Sequence, residues 1–213
     1  MPERIPAAHK GDMGGCSFYG YRKDTGTRFV LMNIFGGGWG GRPHEDGESA
    51  SVSICQGDVR NTPVELQEIH YPFVLECHRL RPDSGGPGKY RGGLGIEIRY
   101  RALEECTVNI NLERTVDPPW GVNGGKNGAV NRCVIRRADG EEREVNKESN
   151  VPLAAGDTVT FLTAGGGGYG DPRERARELI ERDLALGYVA PEGAAHDYGY
   201  GKWTTSRRSG TAG

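Results

Sequence analysis

The chain has 213 residues, 35% of them hydrophobic, with a formal net charge of −2. That length suffices for one domain or two small ones, and the near-neutral charge gives no electrostatic case for nucleic acid or an anionic membrane as partner. The longest apolar run, FVLMNIF at 29–35, falls far short of the ~20 residues that a membrane-spanning helix needs.

The N-terminal MPERIPAAHKGDMGG lacks the apolar core of a signal peptide, so a cytoplasmic location is expected. Five cysteines, Cys16, Cys55, Cys77, Cys106 and Cys133, contain no C-x-x-C spacing and read as reduced, mostly buried thiols. The unusual count is 35 glycines, about twice the ordinary share of roughly 7%. They gather in GGGWGG at 36–41, GGPGKYRGGLG at 85–95, GVNGGKNG at 121–128 and GGGGYG at 165–170. Each cluster has an aromatic within or beside it: Trp39, Tyr90, Trp120 and Tyr169. Interleaved with strand-like segments, they read as ordered loops and not as a linker.

In chain order, residues 1–27 show no usable periodicity and read as an extended or poorly ordered segment, and 28–35 is a candidate strand. Pro63, Pro72 and Pro82 divide 61–86 into short pieces around a strand at 73–80. On that strand the adjacent Cys77 and His78 point to opposite faces, which predicts a core cysteine and a surface histidine. Ile96, Ile98, Tyr100 and Ala102 alternate with charged residues, and Val108, Ile110 and Leu112 alternate with polar ones, as half-buried strands do. Strands at 132–137 and 142–146 flank Asp139-Gly140, a hairpin signal, and 157–163 alternates again.

After the last glycine cluster, Asp171 as cap and Pro172 as first residue predict a helix over about 172–186. Its apolar spacing is Ala176, Leu179, Ile180 and Leu184, with a Glu178–Arg182 pair and Gly187 as stop. The expected fold is mainly β (α+β): a glycine-rich layered or barrel-like β domain with that C-terminal helix. It divides into a segment 1–27, a body 28–200 and a loose polar tail 201–213.

The chemistry-bearing residues are fewer. GGGWGGRPHEDGESAS at 36–51 places His44, Glu45, Asp46 and Glu48 after backbone that can approach a ligand closely. Histidine beside carboxylates can shuttle protons or bind metal, although an acidic loop is as a rule simply solvated. Asn61 and Glu65 flank the turn at Pro63. The TAGGGGYGDP loop lacks the Gly-Lys-Ser/Thr ending of a phosphate loop and the Gly-x-Gly-x-x-Gly fingerprint, so its glycines read as close backbone packing. No Gly-x-Ser-x-Gly or serine–histidine–aspartate arrangement stands out.

Taken in order, GGGWGGRPHEDGESA, GDVRNTPVE, LRPDSGGPGKYRGGLG, PPWGVNGG and GGGGYGDP followed by YVAPEGAAHDYGY resemble the hydantoinase B/oxoprolinase family. That family includes the B component of N-methylhydantoinase, the corresponding half of 5-oxoprolinase, and subunits of acetone and acetophenone carboxylases. The resemblance implies a C-terminal portion, or a split subunit, of an enzyme that hydrolyses a cyclic amide of hydantoin or 5-oxoproline type with ATP, inactive by itself. It leaves a ketone carboxylase subunit and a non-catalytic structural or truncated module as alternatives.

The implied partners are the N-terminal portion of the B protein, an A-type subunit and a small cyclic amide or ketone. ATP and magnesium would belong to the A-type partner, and a divalent metal to the N-terminal B portion. No metal ligand is therefore assigned to this chain. The residues favoured as near the substrate are His44, Asp46, Asn61 and Glu65.

Overall fold

The computed structural model describes residues 4–53, 56–57 and 59–201. The loose tail expected after Tyr200 lies, from residue 202 on, outside the described residues, as do residues 1–3 and Cys55. The strands are Gly15–Tyr21 (β1), Arg28–Ile34 (β2), Phe73–Leu80 (β3), Ile96–Ala102 (β4), Cys106–Asn111 (β5), Arg132–Arg136 (β6), Glu142–Val145 (β7), Lys147–Leu153 (β8) and Thr158–Leu162 (β9). Among the described residues three short α-helices accompany them: Val64–His70 (α1), Arg177–Ala185 (α2) and Pro191–Asp197 (α3).

The strands form two antiparallel sheets, one in the order β2-β1-β5-β8 and one in the order β3-β4-β9-β6-β7. The alternation that predicts β4 is the reason the sheets meet: Ile96, Ile98, Tyr100 and Ala102 are all buried on one face. Phe18 of β1 stacks against Phe73 of β3 at 4.6 Å and against Tyr100 of β4 at 5.3 Å between ring centroids, so aromatics from both sheets share one core. Each such ring taken from water contributes about 1.5–3 kcal/mol. The fold is the layered form of the two expected.

Several elements depart from the sequence expectation for physical reasons. Residues 15–21 are a central strand, although Gly15 and Gly20 interrupt its alternation. β8 escapes the pattern because Lys147 to Asn150 are exposed in succession and Pro152 lies within it. The Asp139-Gly140 hairpin forms, with Gly140 at φ +97° and its N–H donating to the Arg137 carbonyl at 3.0 Å.

The single helix expected over 172–186 is broken. Asp171 does cap the Arg173 N–H at 2.9 Å, but the turn it starts is a 3-10 segment, Pro172–Glu174. Arg175 and Ala176 are then extended, at ψ 129° and 137°, before α2 begins. The exposed intrahelical pair is Arg177–Glu181 at 2.8 Å, while Arg182 reaches Asp46 instead of Glu178. Gly187 does stop the helix, at φ +68°.

The four glycine clusters converge. Gly165 and Gly168 donate to the carbonyls of Ala129 and Lys126, Gly166 and Tyr169 to those of Gly93 and Tyr90, and Gly167 and Gly170 to those of Ala8 and Val122. In the first two pairs, partners from one segment recur every third residue, the repeat of a polyproline II-type chain with three residues per turn. A Cβ on Gly166 would overlap the Trp39 carbonyl, and one on Gly38 the Gly93 carbonyl. Neither residue has positive φ, so space is what demands glycine there. Every amide from Gly165 to Gly170 is committed to a carbonyl, which leaves none to cradle a phosphate.

Candidate functional site

The glycine lattice holds a cleft of about 450 Å³ beside the 36–41 segment. Gly36 and Trp39 form one wall, Ala50 to Ser53 a second, and Asn61, His78 and Ile96 the third. Trp39 is fixed from two sides. Its Nε1 donates to the Val52 carbonyl at 3.0 Å, and the His9 ring lies 5.0 Å away. His9 Nδ1 accepts from the Gly40 N–H at 2.8 Å, and burial, then the charge of Arg42, lower its pKa, so it is held as the neutral acceptor.

Behind the cleft lies a buried polar knot. Lys10 is 1% exposed, with its stem under Gly37 and its Nζ donating to Asp12 Oδ1 and to the Asp12 carbonyl, both at 2.8 Å. Asp12 Oδ2 accepts from Asn131 Nδ2 at 2.9 Å and from the Glu113 N–H at 3.2 Å. Ser53, on the cleft wall, donates its hydroxyl to the Asp12 carbonyl. Removing one member would leave an unpaired buried group, so the knot makes the wall rigid.

A second buried cluster joins the 36–48 loop to the C-terminal helices. Asp46 accepts from Arg175 at 2.7 and 2.8 Å, from the Arg91 N–H at 2.7 Å and from Arg182 at 3.2 Å. Arg175 and Arg91 both reach Asp183, at 2.6 and 3.2 Å. Burial would raise the Asp46 pKa, but the bonds and charge of Arg175, with Arg91, outweigh it and hold the carboxyl below its usual range.

The four residues singled out from sequence are thus scattered. Asn61 lines the cleft. Asp46 is drawn into the arginine cluster, His44 stands exposed on the same loop, and Glu65 is exposed in the first turn of α1. Cys77 corrects the expectation of a core cysteine. It pairs across the sheet with Arg99 and is half-buried on the charged outer face, while His78 pairs with buried Ile98 and opens onto the cleft.

Sequence reasoning did not single out Lys10, Asp12 or Arg175, and no spacing signal marks them. Each is paired with a residue, or held in a lattice, that only the tertiary fold brings near. Among the described residues no group of three or more histidines, cysteines or carboxylates is placed to hold a metal ion. What the cleft does supply is an imidazole, a carboxamide and hydroxyls beside an indole. That set suits a small neutral ligand with amide or carbonyl groups.

The model of the hydantoinase B/oxoprolinase family matches residues 1–172. The chain is 34% identical over 203 residues to the B component of a putative D-/L-hydantoinase from Pseudomonas sp. (strain NS671), covering 93% of this chain and 33% of that protein. The solved ATP-dependent caprolactamase from Pseudomonas jessenii superposes with a TM-score of 0.82 at 26% identity, over 93% of this chain and 36% of that one. The nucleotide-free acetone carboxylase, at 20% identity and a TM-score of 0.73 over 91% and 30% of the two chains, shares the fold. The chain therefore spans about a third of the length of the relatives it matches. It belongs to the hydantoinase B/oxoprolinase family.

Proposed function

We propose that this chain is a C-terminal portion or split subunit of a B-type protein in the ATP-dependent hydrolysis of a cyclic amide of hydantoin or 5-oxoproline class. Its partners in this reading are the N-terminal B portion and an A-type ATP-binding subunit. The observation that carries it is the likeness to the ATP-dependent caprolactamase across 93% of the chain. In the net reaction the ring C–N bond breaks and two waters are consumed, one adding OH to the acyl carbon and H to the ring nitrogen, the other accounting for conversion of ATP to ADP and phosphate.

The role of these residues is positioning. Asn61 and His78 face the ring amide across the cleft, Trp39 covers its apolar edge, and the Lys10–Asp12 knot keeps the wall in place. ATP with magnesium is assigned to the A-type partner and a divalent metal to the N-terminal portion. His44, Asp46 and Glu65 serve the loop and helix that border the cleft. The expected location is the cytoplasm; no described helix is long and apolar enough to cross a membrane.

Reconstitution tests this reading. ATP hydrolysis dependent on a cyclic amide is expected only when this chain, the N-terminal B portion and the A-type subunit are combined. Turnover by the isolated chain, or a mixture whose rate ignores its omission, overturns it. The fold shared with acetone carboxylase supports carboxylation of a ketone as the second reading, and a requirement for bicarbonate would select it.

A further inference from the structure

Four strands stand at sheet edges: β2 and β8 in one sheet, β3 and β7 in the other. Three carry features that discourage pairing with another chain. β8 contains Lys147, Glu148 and Pro152 and slips register against β5 between Val108 and Ile110. β3 carries Glu76 and Arg79 and a register shift between Leu75 and Cys77. β7 reads Glu-Arg-Glu-Val. β2 has no such protection. Its seven residues, RFVLMNI, run in unbroken register with β1, and the one charge is Arg28 at the start.

The ladder with β1 fixes which main-chain groups β2 leaves free. The Phe35 N–H donates to the Gly14 carbonyl at 2.8 Å. In an antiparallel pair the groups alternate, so Phe29, Leu31 and Asn33 direct theirs towards β1, and Val30, Met32 and Ile34 direct theirs outward. The side chains beside those free groups are apolar and open: Val30 is 46% exposed and Met32 72%. α1 sits on the inner side, where Asn33 Nδ2 donates to Gln67 Oε1 at 3.2 Å and the Tyr71 ring lies 6.3 Å from Phe29, and it leaves Val30 and Met32 uncovered.

We propose that the β2 edge takes an added strand from the polypeptide corresponding to the two thirds of the relatives that this chain does not span. In those relatives this region aligns with 33% and 36% of a longer protein, so a body about twice its size belongs to the same molecule. Main-chain bonds from Val30, Met32 and Ile34 supply the register, and the Val30 and Met32 side chains supply apolar contact. The inference rests on family membership and on the edge. It does not depend on which reaction the assembly performs.

The test compares the isolated chain with its mixture with a polypeptide carrying the remaining two thirds, by hydrogen–deuterium exchange over 28–34 and by binding. The Val30 and Met32 amides are expected to exchange at least tenfold more slowly in the complex. Val30→Pro removes an outward N–H without touching the β1 ladder, and is expected to weaken binding at least tenfold with the isolated chain's thermal midpoint unchanged. Should Val30→Pro lower that midpoint, Met32→Lys, which leaves the backbone alone, decides by the same loss of binding.

Absence of binding overturns the proposal, as does binding that both variants leave intact. Protection that instead rises with the concentration of the isolated chain, and is unaltered by the second polypeptide, makes β2 a self-association edge and also overturns it. No turnover is read, so failure of the hydrolase reading and failure of this one are distinguishable.

Discussion

Asp46 and Arg175, 129 residues apart in the chain, are joined by two parallel hydrogen bonds of 2.7 and 2.8 Å. The Arg175 side chain has no exposed surface, and it also bonds Asp183 at 2.6 Å. This fork ties the 36–48 loop to α2, and it accounts for the extended backbone at Arg175 where the sequence predicts continuous helix. Arg175→Ala leaves the buried Asp183 and the partly buried Asp46 short of a partner and is expected to cost about 3–5 kcal/mol in urea unfolding. Arg177→Ala, which breaks only the exposed pair with Glu181, should cost under ~0.5 kcal/mol. A loss below about 1 kcal/mol for Arg175→Ala would show that the fork contributes little.

Asp46 and Asp157 set an acid limit. Burial raises the Asp157 pKa, but the N–H of Ala154, the Arg137 guanidinium and the N–H of Ala138 outweigh it and hold the carboxyl low, as Arg175 does for Asp46. A carboxyl lowered on folding contributes stability that is fully present above its unfolded value near ~3.9 and is lost as pH falls through the folded value. The urea midpoint is therefore expected to fall first as pH drops below ~6.5, where His9 is held neutral, and again below about pH 4, less steeply there in Asp157→Asn. A midpoint that climbs on acidification contradicts this sign.

The glycine lattice predicts an unusually steep penalty for one methyl group. At Gly166 the obstacle is the Trp39 carbonyl and the Gly40 N–H, main chain that is itself hydrogen-bonded. Gly166→Ala is expected to cost about 3 kcal/mol or more, the upper end of overpacking, because nothing nearby can rotate away. At Gly20 the neighbour is the edge of the Phe29 ring at 3.2 Å, a side chain that can yield. Gly20→Ala should cost under about 1 kcal/mol. Equal midpoints for the two variants in the same melt would show that the close approach is not limiting.

What the sequence made legible was whatever depends on local period. β4 and β9 follow from alternation, and the hairpin follows from Asp139-Gly140. Strands whose faces are not two-sided escaped it: β1 is interrupted by glycines, and β8 is an edge with four exposed residues in a row. The family was readable because glycine spacing and the flanking motifs are themselves sequence. The three-residue repeat of lattice partners was not, since it exists only when distant segments meet. Asp46 drew notice as an acidic loop residue, yet its partner Arg175 lies beyond any local pattern. His78 is exposed, as its strand position predicts, but nothing local shows that it shares a cleft with Trp39, Asn61 and residues 50–53.

Among the walls of that cleft, His78 and Asn61 are both exposed and carry no core packing. Substituting either by alanine should leave the thermal midpoint of the isolated chain nearly unchanged, within the ~0.5 kcal/mol typical of surface positions. In the reconstituted enzyme, each is expected to lower kcat/KM for the cyclic amide by about tenfold, the loss of one hydrogen bond worth ~1.4 kcal/mol in the transition state. His44→Ala, on the solvent side of its loop, should change kcat/KM by less than about twofold, too little for a lost hydrogen bond. If His78→Ala and Asn61→Ala behave like His44→Ala, the cleft is a structural recess and the substrate lies elsewhere in the assembly.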